Sequence, residues 1–275
     1  ALVEFYVDKN VDFIKTYTEL SANQYDNLAA YSTRANLALA GHKPLSVSLI
    51  HALDSGQASI EHGRLFMFEC FQGIESFRQL DDPISHYNAE FMREMLQSQD
   101  REKCATLMGA MANSSTRWVP TLATLRMSAM ANDKSFRQDS RLEYIPYIIR
   151  KLLWEPDITR ASQKGYDKRG RFVHADFYAA ASAQVGRAHS LGVELLAGTD
   201  NIDTHVFTGA SLHDELAALV EAGLTPLEAI QTATINPAKF AALDDDFGSV
   251  EVNKQADLLL LNANPLSDIR HTADI

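Results

Sequence analysis

Val193-Glu-Leu-Leu-Ala-Gly-Thr-Asp-Asn201 is the stretch on which the reading of this chain turns. It closes an apolar run begun at Leu191 and passes directly into polar residues and a new helix. A carboxylate placed where a buried parallel strand opens into a loop occupies the catalytic rim of a (β/α) barrel, where ligands bind. An Asp there, Asp200, can bind a divalent metal and hold the water that the metal ionises. Gly-Thr-Asp is also ordinary turn chemistry. Its weight comes from three upstream strand ends that also finish in ligand-type residues, Lys15, His42 and His62.

Working outward, residues 12–18 (Asp-Phe-Ile-Lys-Thr-Tyr-Thr) read as a short strand rich in β-formers. Residues 22–36 have a helical pattern, and Asn36-Leu-Ala-Leu-Ala-Gly-His42 is a strand-sized apolar run. Residues 45–55 are helical again, and Gln57-Ala-Ser-Ile-Glu-His62 forms the next strand. Arg117–Ala123 and Val193–Gly198 supply two more, and Ser211–Ala222 is the helix after the last. Strands alternating with helices predict a parallel sheet with crossover helices. The long intervals 62–118 and 124–191 are mostly helical in pattern and rich in Met, Phe and Tyr. They read either as walls of a pocket over the active face or as packing in the outer ring.

The tail changes character. Thr225-Pro226 and Asn236-Pro237 mark two further helix starts. Residues 247–262 then read as a β-turn and a strand outside the βα rhythm. The predicted division is 1–243 for the barrel part and 244–275 for an appended β element.

Composition narrows the classes. A net charge of −11 argues against a nucleic-acid footprint, which needs clustered Lys and Arg. No run approaches the roughly 18 apolar residues of a membrane span. Two cysteines, Cys70 and Cys104, cannot make a disulfide framework. They form either one bridge or two buried thiols, with the thiols expected, and the compartment is left open. The first residues, Ala-Leu-Val-Glu, carry no Met and read as internal to something longer.

His42 and His62 end consecutive strands, and neutral imidazoles so placed are good Zn²⁺ ligands. In the first strand, period-2 alternation puts Phe13, Lys15 and Tyr17 on one face. If that face is buried, Lys15 must be paired or chemically altered, for instance as a carbamate that bridges two metals. Otherwise it snorkels at an exposed strand end. Tyr17 is either a polariser of a substrate carbonyl or a packed ring with its hydroxyl in water.

The ordered set Phe-Ile-Lys-Thr-Tyr, Ala-Gly-His-Lys-Pro, Ser-Ile-Glu-His, Val-Pro-Thr-Leu and Ala-Gly-Thr-Asp resembles the metal-dependent amidohydrolase superfamily. So does the tail, from Ser211-Leu-His-Asp-Glu-Leu through Asn236-Pro-Ala to Lys254-Gln-Ala-Asp-Leu-Leu-Leu-Leu-Asn. The likeness is to the imidazolonepropionase-like and Xaa-Pro dipeptidase-like branch, and it covers nearly the whole chain. It implies an α/β fold, a (β/α)8 TIM barrel of amidohydrolase type with strands 4–8 present here and part of a small β-sandwich. Strands 1–3, with a His-x-His pair found nowhere in these 275 residues, would lie outside this chain, as would the extreme C-terminus.

The resemblance further implies Lys15 as the carbamylated bridge between two Zn²⁺ ions, His42 and His62 as ligands of the more exposed metal, and Asp200 as both metal ligand and general base. The expected activity is hydrolysis of an amide in a dipeptide or N-acyl amino acid, on a small-molecule substrate, with Tyr17, His205 and His213 as candidate substrate contacts. His213 reads equally as a surface residue at a helix start. The alternatives are a cyclic-amide hydrolase or lactonase on the same metal centre, or a metal-free barrel scaffold. A homo-oligomer is left open.

Overall fold

The computed structural model describes residues 2–275. Four short strands form, β1 (Phe13–Thr16), β2 (Ala38–Gly41), β3 (Ser59–Glu61) and β4 (Arg117–Val119), and all pairing between them is parallel. β1 pairs with β2 through Lys15 opposite Ala40, and β3 pairs with β4 through Ile60 opposite Trp118. The two pairs join where Ala58 N–H donates to the Leu39 carbonyl at 2.7 Å. The segment around Leu195 continues the arc: Trp118 N–H donates to the Glu194 carbonyl and Leu196 N–H to the Trp118 carbonyl. The strand positions read from the sequence therefore line up side by side in chain order, each linked by helices, as right-handed βα units require. This is the arc expected of one side of a barrel, and among the described residues no pairing joins β1 to the Leu195 segment.

Local sequence accounts for the elements. The helix Ala22–Arg34 starts at a capping box, Ser21 with Gln24, and Pro226–Thr232 starts at another, Thr225 with Glu228. The sheet buries Ile14, Leu39, Ile60, Trp118 and Leu195 in one hydrophobic cluster with Phe66, Leu122 and the helices 101–112 and 211–222. The last strand segment is braced from outside: Asn236 Nδ2 donates to the Leu195 carbonyl at 3.1 Å, and Ala197 N–H to the Thr232 carbonyl at 2.9 Å. That gives the Asn-Pro start at 236 a concrete role.

Three expectations are corrected or refined. The face carrying Phe13, Lys15 and Tyr17 is open in this chain, with Phe13 52% and Tyr17 61% exposed. The strand read over 247–262 does not form, because nothing among the described residues offers it a ladder, and Leu258, Leu259 and Leu260 are left exposed. Cys70 and Cys104 are not two thiols but a disulfide. The Asp100 N–H to Cys70 carbonyl bond, 2.8 Å, docks the start of helix 101–112 on the segment that follows β3 and brings the two cysteines together. No helix among the described residues is long and apolar enough to cross a membrane.

One buried charge cluster fixes the chain as it leaves β2. Lys43, directly after His42, places its Nζ 3.0 Å from Glu69, whose carboxylate also takes both Arg78 contacts (2.6 and 2.7 Å) and the Leu49 N–H at 3.0 Å. All three charged side chains are nearly buried. Arg78 also pairs with Glu75 at 2.6 Å, so removing the Glu69 charge leaves Lys43 as the uncompensated buried cation, at a cost of about 3–5 kcal/mol. Glu69→Gln should therefore lower unfolding stability by that amount in a denaturant titration. A loss below about 1 kcal/mol would show that water already reaches Lys43 and Arg78.

Candidate metal centre

Three strand ends converge here, and each is held by a specific backbone device. At the end of β2, Gly41 has φ 113°, and a Cβ there would lie 2.7 Å from the Thr16 carbonyl oxygen, so only glycine lets β2 turn this close to β1. Thr16 Oγ1 donates to the His42 carbonyl at 2.8 Å, and His42 N–H to the Thr16 carbonyl at 3.1 Å. His42 is thereby fixed at the sheet rim.

After β3, His62 takes φ 77°. Its N–H donates to the Val119 carbonyl at 2.8 Å, and its own carbonyl accepts from the buried indole of Trp118 at 3.0 Å. The positive φ breaks the strand alternation that would send Glu61 and His62 to opposite faces. The donor atoms of His42, Glu61 and His62 all lie within 4.8 Å of one another. Thr121, at φ 44°, and Asp200, at φ 55°, occupy the next two strand ends. Residues held in left-handed backbone by surrounding structure are characteristic of binding sites. Gly198, two residues before Asp200, lies against β4: a Cβ there would sit 2.5 Å from Val119 Cγ1.

The two imidazoles face one another with Nε2 atoms 2.8 Å apart and ring centroids at 4.3 Å. His62 Nδ1 is paired with Thr121 Oγ1 at 2.8 Å, and Asp200 Oδ2 lies 4.0 Å from His62 Nε2. His42 Nδ1 is buried without a hydrogen-bond partner, with Glu61 Oε2 3.9 Å away. A cavity of about 40 Å³ lies between His42, Glu61, His62 and Arg64, room for a water-sized species. Two neutral imidazoles aimed at each other, one with an orphaned nitrogen and both beside carboxylates, fit a divalent cation of Zn²⁺ type, which takes nitrogen and oxygen donors.

Of the residues singled out in the sequence, His42, His62 and Asp200 come together here. Lys15 reaches the edge of the cluster, its Nζ 3.0 Å from Glu61 Oε2 and its side chain 48% exposed. Tyr17 lays its ring on His42, centroids 4.3 Å apart. His205 sits apart, stacked between Phe136 and Trp154. His213 turns to Thr272 Oγ1 at 3.0 Å, tying helix 211–222 to the C-terminal turn Ile269–Ala273. Sequence reasoning missed Glu61 and Thr121. Glu61 stands beside His62, but strict alternation hides it, and nothing in Val-Pro-Thr-Leu marks Thr121 as a partner for a ring nitrogen.

Burial, with the Arg64 guanidinium adding to it, holds both histidines neutral: His42 falls to about 4 and His62 to about 2. Unfolded histidine takes up a proton near pH 6.5. Between about pH 6.5 and pH 4 the unfolded chain therefore binds more protons than the folded one, so stability present above that window is lost as pH falls through it. In the metal-free protein, the imidazole NMR signals of His42 and His62 should stay at neutral shifts from about pH 8 to pH 5, while the unfolding midpoint drops below about pH 6.5. A signal from either ring titrating near 6.5 would contradict this burial.

Residues 176–274 match the family model described as the amidohydrolase family. A curated relative, 5-methylthioadenosine/S-adenosylhomocysteine deaminase from Teredinibacter turnerae, is 36% identical over 88 residues, which are 32% of this chain and 20% of that protein. Among solved structures, a Xaa-Pro dipeptidase with methionine bound in its active site superposes over 99% of this chain and 54% of its own, with TM-score 0.59 and 20% identity. A bottromycin amidohydrolase superposes over 88% of this chain and 49% of its own, with TM-score 0.63 and 22% identity. A putative prolidase from Bifidobacterium longum covers 98% and 55%, with TM-score 0.55 and 22% identity. These likenesses show that the chain shares the fold of these structures, and it spans about half of their length.

Proposed function

We infer that this chain, which matches the amidohydrolase family model over 176–274 and shares the fold of a Xaa-Pro dipeptidase, is part of a metal-dependent hydrolase that cleaves a carbon–nitrogen bond, of the amide of a dipeptide or N-acyl amino acid. The observation that carries this reading is the facing pair of neutral, buried imidazoles, His42 and His62, with Glu61 and Asp200 beside them.

His42 and His62 would hold the metal as neutral donors. The Thr121 contact at His62 Nδ1 fixes that ring so that Nε2 presents its lone pair to the shared site. A divalent metal bound there supplies a Lewis acid for the scissile carbonyl and brings the pKa of attacking water toward 7. Asp200, 40% exposed at its side chain and within 4.0 Å of His62, takes the proton released as water attacks the carbonyl carbon. It then hands that proton to the departing amine nitrogen, acting as base and then as acid. Tyr17, its ring tilted against His42, would donate its hydroxyl proton to the developing oxyanion.

Lys15 separates two versions of the site. As a carbamate, formed when its neutral amine adds CO2 and releases a proton, it would offer two anionic oxygens to a metal pair. That conversion reverses its charge and breaks the attraction to Glu61 that holds it at 3.0 Å. The Lys15–Glu61 pair itself favours a second version, in which Glu61 joins the two histidines around a single metal and Lys15 stays cationic.

Metal analysis of the full-length protein after Zn²⁺ reconstitution should find two equivalents and a 13C-carbamate NMR signal for the first version, or one equivalent and no carbamate for the second. Fewer than about one equivalent would sink the hydrolase reading altogether. Asp200→Asn should lower kcat by at least about 100-fold with metal content retained, and near-normal turnover would remove Asp200 from the proton-transfer role. Thr121→Val should weaken Zn²⁺ binding by about 10–100-fold, with Thr121→Ser restoring it.

A further inference from the structure

His205 sits in a cavity distinct from the small one at the histidine pair. This cavity, about 340 Å³, is formed within the excursion that follows β4. Its volume is at the lower end of the range for small-molecule sites. Its polar lining is cationic, from Lys134, Arg137 and Arg150, and Trp154 and Ile158 supply an apolar wall. The carboxylate of Glu155 also lines it, but Lys151 pairs with that group at 2.5 Å.

The cations in this cavity are under-partnered. Arg137 reaches only neutral oxygens, the Ala131 carbonyl at 3.1 Å and Thr159 Oγ1 at 3.2 Å. Arg150 has one long contact, 3.5 Å to the Leu142 carbonyl, and its Nε is buried without a partner. His205 is 8% exposed, and its Nδ1 is likewise buried and unpartnered. Elsewhere in this chain of net charge −11, Arg78, Arg93, Arg141 and Arg171 each meet a carboxylate. Half-buried guanidiniums without one carry a desolvation cost that an incoming anion would offset. The planar guanidinium fork matches a carboxylate in two parallel hydrogen bonds.

The position of the cavity also matters. His205 follows Asp200 by five residues, which at full extension span at most about 18 Å. Two turns, Asp203 N–H to the Asp200 carbonyl and Val206 N–H to the Asp203 carbonyl, both 3.0 Å, shorten that path. His205 has φ 59° and is clamped by rings with centroids 4.9 Å away (Phe136) and 5.7 Å away (Trp154). One loop thus runs from the carboxylate beside the histidine pair to the wall of the cationic cavity.

We propose that this cavity is a separate binding site for the carboxylate of a small apolar acid, such as an N-acyl amino acid. Arg150 and Arg137 would engage the carboxylate, and the Trp154–Ile158 wall would cover the apolar part.

The test is calorimetric titration of the metal-stripped, full-length protein with N-acetyl-L-phenylalanine, its carboxamide and inorganic phosphate. The acid should bind at least about tenfold more tightly than the carboxamide, and Arg150→Gln should abolish that preference by weakening the acid alone. If Arg150→Gln does not fold, Lys134→Gln, at an exposed position, should still weaken the acid by about threefold and leave the carboxamide unchanged. Equal binding of acid and carboxamide would overturn the proposal, as would a preference that survives substitution. Phosphate binding as tight as the acid would make this a general anion site and overturn it too. Because the titration reads binding to metal-stripped protein and no turnover, its failure would sink this site and leave the hydrolase reading untouched.

Discussion

At His62 the chain leaves β3 in a left-handed conformation, and much of the candidate metal centre depends on that one residue. A β-branched or bulky side chain pays heavily for φ near 77°, and histidine pays less only because the surroundings over-determine it. Val119 accepts its N–H, the Trp118 indole donates to its carbonyl, and Thr121 engages its ring. All three partners come from β4 or its exit, so the second imidazole is aimed by the neighbouring strand more than by its own. Trp118, fully buried, serves at once as the central side chain of the core and as the clamp on the site. Packing and chemistry are therefore hard to separate here: loosening the core around Trp118 would also misdirect His62.

Charge distribution follows the same economy. Around the histidine pair, Arg64 and burial favour neutral rings, while Glu61 and Asp200 supply the negative charge a cation would need. A few residues along, Lys43 and Arg78 share the Glu69 carboxylate in the interior, with Glu75 also on Arg78, and hold the exit of β2. The cavity at His205 differs from both, since Arg137 and Arg150 there hydrogen-bond only neutral oxygens.

The βα order was legible in the sequence because each strand is a short apolar run closed by a breaker, and tertiary pairing follows chain order. His42, His62 and Asp200 were legible because a strand end is where a side chain can leave a packed sheet without losing its anchor. Glu61 was not, since the alternation rule assumes extended backbone and His62 departs from it. The state of Lys15 was not, because burial of its face depends on whatever covers β1, and in this chain that face is open. The apolar run at 256–261 was misread as a strand for a related reason: hydrophobicity and β-propensity define a strand only when a partner edge exists. The disulfide was missed because cysteine spacing alone does not reveal that Asp100 docks on Cys70.

The arrangement of the sheet in strict chain order bears on how such a chain is made. As a ribosome releases it, β2 finds β1 already made, and β4 finds β3, so each later strand meets an earlier one. Domains assembled during synthesis gain from that vectorial order. The step most exposed to delay is the wait of nearly sixty residues between β3 and β4, during which His62 lacks the carbonyl, indole and hydroxyl that will hold it. The candidate metal-binding rim is thus completed only once β4 and its exit have been made.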